Sequence, residues 1–143
     1  MSTSTRDLID ELGSHLATVA GFAYEPDTVP TGQIPVFASR LPASPDRVVG
    51  IWAYDRSKTA GPEGLQTRMV QVRVRGDLDD PLTADDLADA VVESLDDWHD
   101  TVIAHCGVQS ALRLGRDDAG RDELTINLSI TLNEQAPTWG GKA

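Results

Sequence analysis

An α+β sandwich is the fold class this sequence predicts: an antiparallel or mixed sheet of about five strands with two helices packed on one face. Three observations predict it. Two segments repeat apolar residues at helical spacing, Leu8, Leu12, Leu16 and Val19 in the first and Leu87, Val91, Leu95 and Trp98 in the second. Runs with the period-two alternation of half-buried strands follow each of them. The connections on both sides of the second helical segment are short enough for hairpins. The order is therefore helix, strands, helix, strands. A chain of 143 residues supports one core, which we assign to a single domain over residues 1–133, with 134–143 as a flexible C-terminal tail.

The first helix is expected from about Thr5 to Ala20, with Ile9 widening its apolar stripe and Ser4 and Asp7 offering a capping signal. Gly13 in its middle costs about 1 kcal/mol relative to alanine, so the helix depends on packing, and Gly21 ends it. The segment from Phe22 to Pro35 carries three prolines and reads as an extended connection before a short strand, Val36 to Arg40. LPASPD is a proline-marked turn into VVGIWAYDR, residues 48–56, a strand by its β-branched and aromatic content. Its alternation puts Trp52 and Tyr54 on one face, which we read as core. SKTAGPEG, residues 57–64, has the composition of a long mobile hairpin loop.

RMVQVRVRG, residues 68–76, returns antiparallel from that loop; Val70, Val72 and Val74 point one way and Met69, Gln71, Arg73 and Arg75 the other. DLDDPLTADD then introduces the second helix, with Thr83 as N-cap and Asp85 and Asp86 against its positive start. TVIAH is expected as a short strand, SALRLGR (110–116) as another, and DDAG as the turn into ELTINLSITL, residues 123–132. There Leu124, Ile126, Leu128, Ile130 and Leu132 face inward, leaving Thr125, Asn127, Ser129 and Thr131 outward. The outward face, with Gln71, Arg73, Arg75, Asn127 and Ser129, is too polar for a core.

Twenty-three acidic residues against 12 Lys and Arg give a formal net charge of -11, which disfavours holding nucleic acid by phosphate neutralisation. Ten of the 12 cations are arginine, which either a nucleotide bias or a need for bidentate interface pairs explains. No apolar run is long enough to span a bilayer, the N-terminus lacks the pattern of a signal peptide, and one cysteine, Cys106, rules out a disulfide framework. WHDTVIAHC gathers His99, Asp100, His105 and Cys106, but without the spacing of a zinc site, and a lone cysteine behaves as a small hydrophobe. His15 lies off the apolar stripe and reads as solvated. The paired aspartates lack the spacing of a calcium loop, and no phosphate-binding glycine loop or nucleophile elbow occurs. No catalytic residue, metal or cofactor is therefore assigned.

Residues 70–99 (VQVRVRGDLDDPLTADDLADAVVESLDDWH) and 114–132 (LGRDDAGRDELTINLSITL) resemble the tail terminator or minor capsid proteins of long-tailed bacteriophages. The similarity lies in a strand ending in Arg75 and Gly76 before a capped helix, and in the run Asp118, Gly120, Arg121, Glu123 and Asn127. It extends more loosely from the first helix to about Leu132. The resemblance implies a virion protein of the tail and neck, not an enzyme, assembled in the host cytoplasm. Its subunits close into a ring, typically a hexamer, on the tail tube protein, stop tube polymerisation and dock to the head–tail connector. DNA passes through the lumen without specific binding, and no membrane is involved.

Ring contacts are head-to-tail, so each subunit needs two complementary patches. The expected subunit interface is Gln71, Arg73, Arg75, Asn127 and Ser129, with the arginines meeting carboxylates of a neighbouring copy. Ser57, Lys58, Thr59 and Glu63 are the expected docking loop, ordered on contact with tube or connector. Three alternatives remain at this point: another head–tail joining ring protein, a small enzyme using His99, His105 and Cys106, and a host-derived regulatory or binding domain.

Overall fold

The computed structural model describes residues 3–60 and 64–135. Within them the chain runs α1 (Thr5–Val19), β1 (Ala23–Tyr24), β2 (Pro35–Ala38), β3 (Val48–Ala60), β4 (Leu65–Leu78), α2 (Pro81–Leu95), β5 (Ile103–Arg116) and β6 (Arg121–Gln135). The strands form one sheet in the order β1-β2-β3-β4-β6-β5. β1 with β2 and β2 with β3 are parallel; the other neighbours are antiparallel. The α+β class and the helix–strand order are those the sequence predicts, with six strands where about five were expected.

The differences have simple causes. β1 lies in the segment read as a connection, because a two-residue strand leaves no periodic trace. The last three residues of TVIAH and all of SALRLGR belong to one strand, β5, which passes Gly107 and absorbs an irregularity between Val108 and Ser110 without breaking. β3 and β4 extend to Ala60 and back from Leu65, so residues 57–60 are strand rather than loop. β6 continues through Glu134 to Gln135, and Glu134 accepts hydrogen bonds from Thr3 N (2.9 Å) and Gln66 Nε2 (3.0 Å).

Both helices cover the same sheet face because their leucine stripes need one apolar surface. Leu8, Leu12 and Leu16 of α1 and Leu87, Val91 and Leu95 of α2 pack over Val49, Ile51, Val70, Val72, Val74 and the alternate residues Leu124 to Leu132, all buried. Each such side chain contributes about 1.5–3 kcal/mol. Gly13 is explained by its neighbour: a Cβ there would lie 2.2 Å from Tyr24 Cδ1, so the missing side chain seats the ring that carries β1 against α1. The Tyr24 hydroxyl donates to Asp10 Oδ1 at 2.6 Å.

α1 opens with a capping box, Asp7 N donating to Ser4 Oγ (3.0 Å) and Ser4 N to Asp7 Oδ2 (3.5 Å). α2 begins earlier than its sequence suggests. Asp80 is the N-cap and Pro81, which has no N–H to leave unsatisfied, takes the first position. Thr83 sits inside that turn, accepting from Asp77 N at 2.6 Å and donating to Asp80 O at 2.8 Å. Asp85 lies beyond the first turn and accepts from Arg113 at 2.6 Å. Trp98 lies past the end of α2 and stacks on His15, ring centroids 3.8 Å apart, while His15 Nε2 is 2.9 Å from Ser94 O. His15 is thus a contact between the helices rather than a solvated residue.

The turn after α2 also carries a carboxyl pair. Glu11 of α1 is hydrogen-bonded to Asp100, and this bond, burial and the Asp100 charge raise the Glu11 carboxyl to about 7. Burial pushes Asp100 upward, but bonds from Glu11 and from the N–H groups of Ile103 and Val102 hold it below its usual value. The folded chain keeps the Glu11 proton between its unfolded value of 4.5 and about 7. It therefore binds more protons than the unfolded chain there, and stability falls as pH rises through that window. Glu11→Gln keeps a donor without a titration, so its melting temperature is expected to drop less than the wild type's between pH 5 and 8, by a few degrees on thermal melts, at roughly 3 °C per kcal/mol.

Candidate functional site

The sheet face away from the helices is built by strand alternation alone. Direct pairing puts Trp52, Gln71, Asn127 and Ser110 in one row across β3, β4, β6 and β5. The next row toward the start of β3 is Gly50, Arg73, Thr125 and Leu112, and the next row the other way holds Asp55, Met69, Ser129 and Gly107. Gln71 Nε2 donates to Asn127 Oδ1 at 3.2 Å, and Asn127 Nδ2 donates to Ser110 Oγ at 3.0 Å. A chain of amides and a hydroxyl thus crosses three strands.

Arg73 flanks that row. Its guanidinium carbon stands 5.4 Å from the Trp52 ring centroid, and Nη2 donates to Gln71 Oε1 at 3.5 Å. Among the described residues it forms no ion pair, and its Nε is buried without a partner, as is the Thr125 hydroxyl paired across from it. Trp52 is half-buried on this face and Tyr54 exposed, so neither is core as alternation alone suggested. At the β5 border Leu112 is 57% exposed, and Leu114 is also exposed. Sequence reading missed both leucines: they alternate as core residues do, and only the pairing of Leu112 with Thr125 shows that its side faces away from the helices.

Arg75 is used inside its own chain. It is 3% exposed, and Nη2 donates to the carbonyls of Pro42 (2.6 Å) and Pro45 (2.7 Å) while Nε donates to that of Asp46 (2.9 Å). Burial first, and then the nearby Arg121 charge, lower the Arg75 guanidinium below its ordinary value. These carbonyls belong to residues 39–47, the return that makes β2 and β3 parallel; it runs past Gly50, whose added Cβ would lie 2.7 Å from Arg40 O. Arg121 grips the same return through Ala43 O at 2.7 Å. Gln71, Arg73, Asn127 and Ser129 remain partly exposed on the bare face; Arg75 lies beneath the return.

Ser57, Lys58 and Thr59 lie in β3, with Thr59 opposite Thr67, while Glu63 lies outside the described residues. In the histidine and cysteine cluster, burial and then the Asp96 charge push the Cys106 thiol up to about 12, so it stays protonated and inert. His105 Nε2 lies 3.1 Å from Asp97 Oδ1 on the surface, and His99 is exposed. Among the described residues no three His, Cys, Asp or Glu side chains gather as metal ligands. No helix of the described residues is long and apolar enough to cross a membrane.

A family model described as bacteriophage tail terminator protein matches residues 15–134. No curated protein matches the chain. Among solved structures, a chain in the virion of a native gene transfer agent particle is similar in fold, with a TM-score of 0.55 at 16% identity, covering 87% of this chain and 90% of that one.

Proposed function

The chain belongs to the bacteriophage tail terminator family, and on that premise we propose that it is a structural, non-enzymatic virion protein whose copies close into a ring at the end of the tail tube. The ring, a hexamer, ends tube polymerisation and docks the tail to the head connector. DNA passes through its centre without a specific site, in keeping with the net charge of -11.

The bare sheet face supports this reading best. A face carrying a hydrogen-bonded amide row, an arginine laid on a tryptophan, buried polar atoms without partners and an exposed leucine at its border has the composition of a contact surface. Arg73 is its one described cation with no carboxylate in its own chain, so a carboxylate of the next copy is its natural partner. The long β3–β4 hairpin, with Ser57, Lys58 and Thr59, is the proposed contact with the tube or connector.

Arg73→Glu is the direct test, since the side chain makes no ion pair that the fold needs. The variant is expected to melt like the wild type while losing rings in negative-stain micrographs and native mass spectra of chain mixed with tail tube. Rings that persist in that variant reject the interface.

A further inference from the structure

The helix layer carries a groove of its own, away from the bare sheet face. His15 of α1 and Trp98, just past α2, stack on each other, and both are only partly buried. Two depressions meet at this stack, one of about 470 Å³ that reaches Ala90, Glu93 and Asp96, and one of about 260 Å³ that reaches Glu11, Thr18 and Asp100. Together they make a groove between the helices with an aromatic pair at its centre and carboxyls along it. Among the described residues, none of Glu11, Glu93, Asp96 and Asp100 enters an ion pair, and no lysine or arginine lines either depression.

β6 delivers the chain to this groove. Asn133 Nδ2 donates to Asp100 O at 3.0 Å and to Thr101 O at 3.2 Å, and Glu134 accepts from Thr3 N just ahead of α1. The strand ends at Gln135, and the eight residues APTWGGKA follow it in the sequence. Pro137 has no N–H with which to continue the ladder to β4. At no more than about 3.6 Å per residue, Trp139 comes within roughly 14 Å of Gln135 and Lys142 within roughly 25 Å. His15 stands ten residues along α1 from Thr5, roughly 15 Å at 1.5 Å per residue, so this reach covers the groove.

The chemistry of those eight residues is complementary. They hold one cation, Lys142, and no acid, in a chain of formal net charge -11. Trp139 offers a ring to the aromatic pair and Lys142 an ammonium to the carboxyls, while Gly140 and Gly141 between them accept the backbone angles of a close turn. Tethering decides between this segment and a partner from solution. A short tether gives a millimolar effective concentration, so a contact of millimolar affinity is filled about half the time, whereas a free partner at micromolar concentration fills it about one part in a thousand. We infer that residues 137–142 dock back into the α1–α2 groove of their own chain, with Trp139 against the His15–Trp98 pair and Lys142 beside Glu93 and Asp96, as a strap across the two helices. The inference concerns the single chain and needs no ring, so it stands or falls apart from the tail terminator reading.

The test uses the full chain with Ala143→Cys carrying a nitroxide label; the Cys106 thiol, buried and held protonated, stays unlabelled. Paramagnetic broadening of backbone amide signals is read by NMR. Strong broadening is expected at Ser14, Thr18, Glu93 and Asp96, and little at Gln71 and Asn127 on the opposite sheet face. Trp139→Ala and Lys142→Glu, each added to the labelled chain, are expected to lower the ratio of docked to free tail roughly fivefold, and Glu93→Lys to do the same from the groove side. Glu93 is exposed, so its variant is expected to keep the wild-type melting curve. Broadening along the groove that falls in all three variants and persists on dilution supports the inference. No broadening along the groove, broadening that the three variants leave unchanged, or broadening passed from a labelled chain to a separate isotope-marked chain, which would give the groove to a second copy's tail, overturns it.

Discussion

Arg75→Met is expected to destabilise the folded chain by about 3 kcal/mol, lowering its melting temperature by roughly 10 °C. The guanidinium makes three hydrogen bonds to backbone carbonyls of a single return, at 2.6, 2.7 and 2.9 Å. Bonds from a charged donor contribute about 1.5–3 kcal/mol each, and water entering the vacated space replaces part of that. Methionine conserves much of the volume and restores none of the donors. Lysine recovers only part of the loss, because one ammonium on a flexible stem does not reproduce a planar fork reaching three acceptors. Arg73→Met, two residues away on the same strand, is the internal control and should change stability by about 0.5 kcal/mol or less. Urea unfolding followed by circular dichroism separates the two; equal losses would place Arg75 among the surface residues.

Gly76→Ala is expected to cost a similar amount, about 3 kcal/mol, although alanine in an ordinary strand position is favoured over glycine. A Cβ at residue 76 would lie 2.5 Å from Ala84 N, 2.6 Å from Thr83 Oγ1 and 3.0 Å from Ala84 Cα. Two of these atoms are backbone, so relief requires moving the first turn of α2 off the sheet. That shift also lengthens the 2.6 Å bond from Asp77 N to Thr83 Oγ1. Hydrogen exchange should show the loss first in the opening turn of α2, with β6 still protected. Uniform loss of protection across the sheet would mean that the clash is spread through the core instead.

The parts of the fold legible in the sequence are those where orientation is forced by a repeat. Leu124 to Leu132 and Val70 to Val74 alternate without interruption, and each pairs in the register that alternation requires. The leucine stripes of α1 and α2 were equally plain. Gln71, Arg73, Asn127 and Ser129 came out on one face for the same reason. What escaped depends on partners far apart in sequence. Arg75 shares its alternation with Arg73, but its acceptors are carbonyls some 30 residues away, and a backbone acceptor leaves no mark in the residue type. Likewise His15 found Trp98 only once the two helices were side by side, and Thr83 moved inside α2 because Pro81 began the helix before it.

β4 and β6 lie side by side in the interior of the sheet and pair from Leu65 opposite Gln135 to Leu78 opposite Arg121. At about 3.3 Å per residue they form a beam roughly 45 Å long. A pull between partners held at its opposite ends runs parallel to both strands, so the bonds between them share the load in shear rather than parting one by one like a zip. Mechanical strength along that axis therefore comes from the two strands being co-extensive, and a pull across the sheet, at its two-residue β1 margin, meets far less resistance.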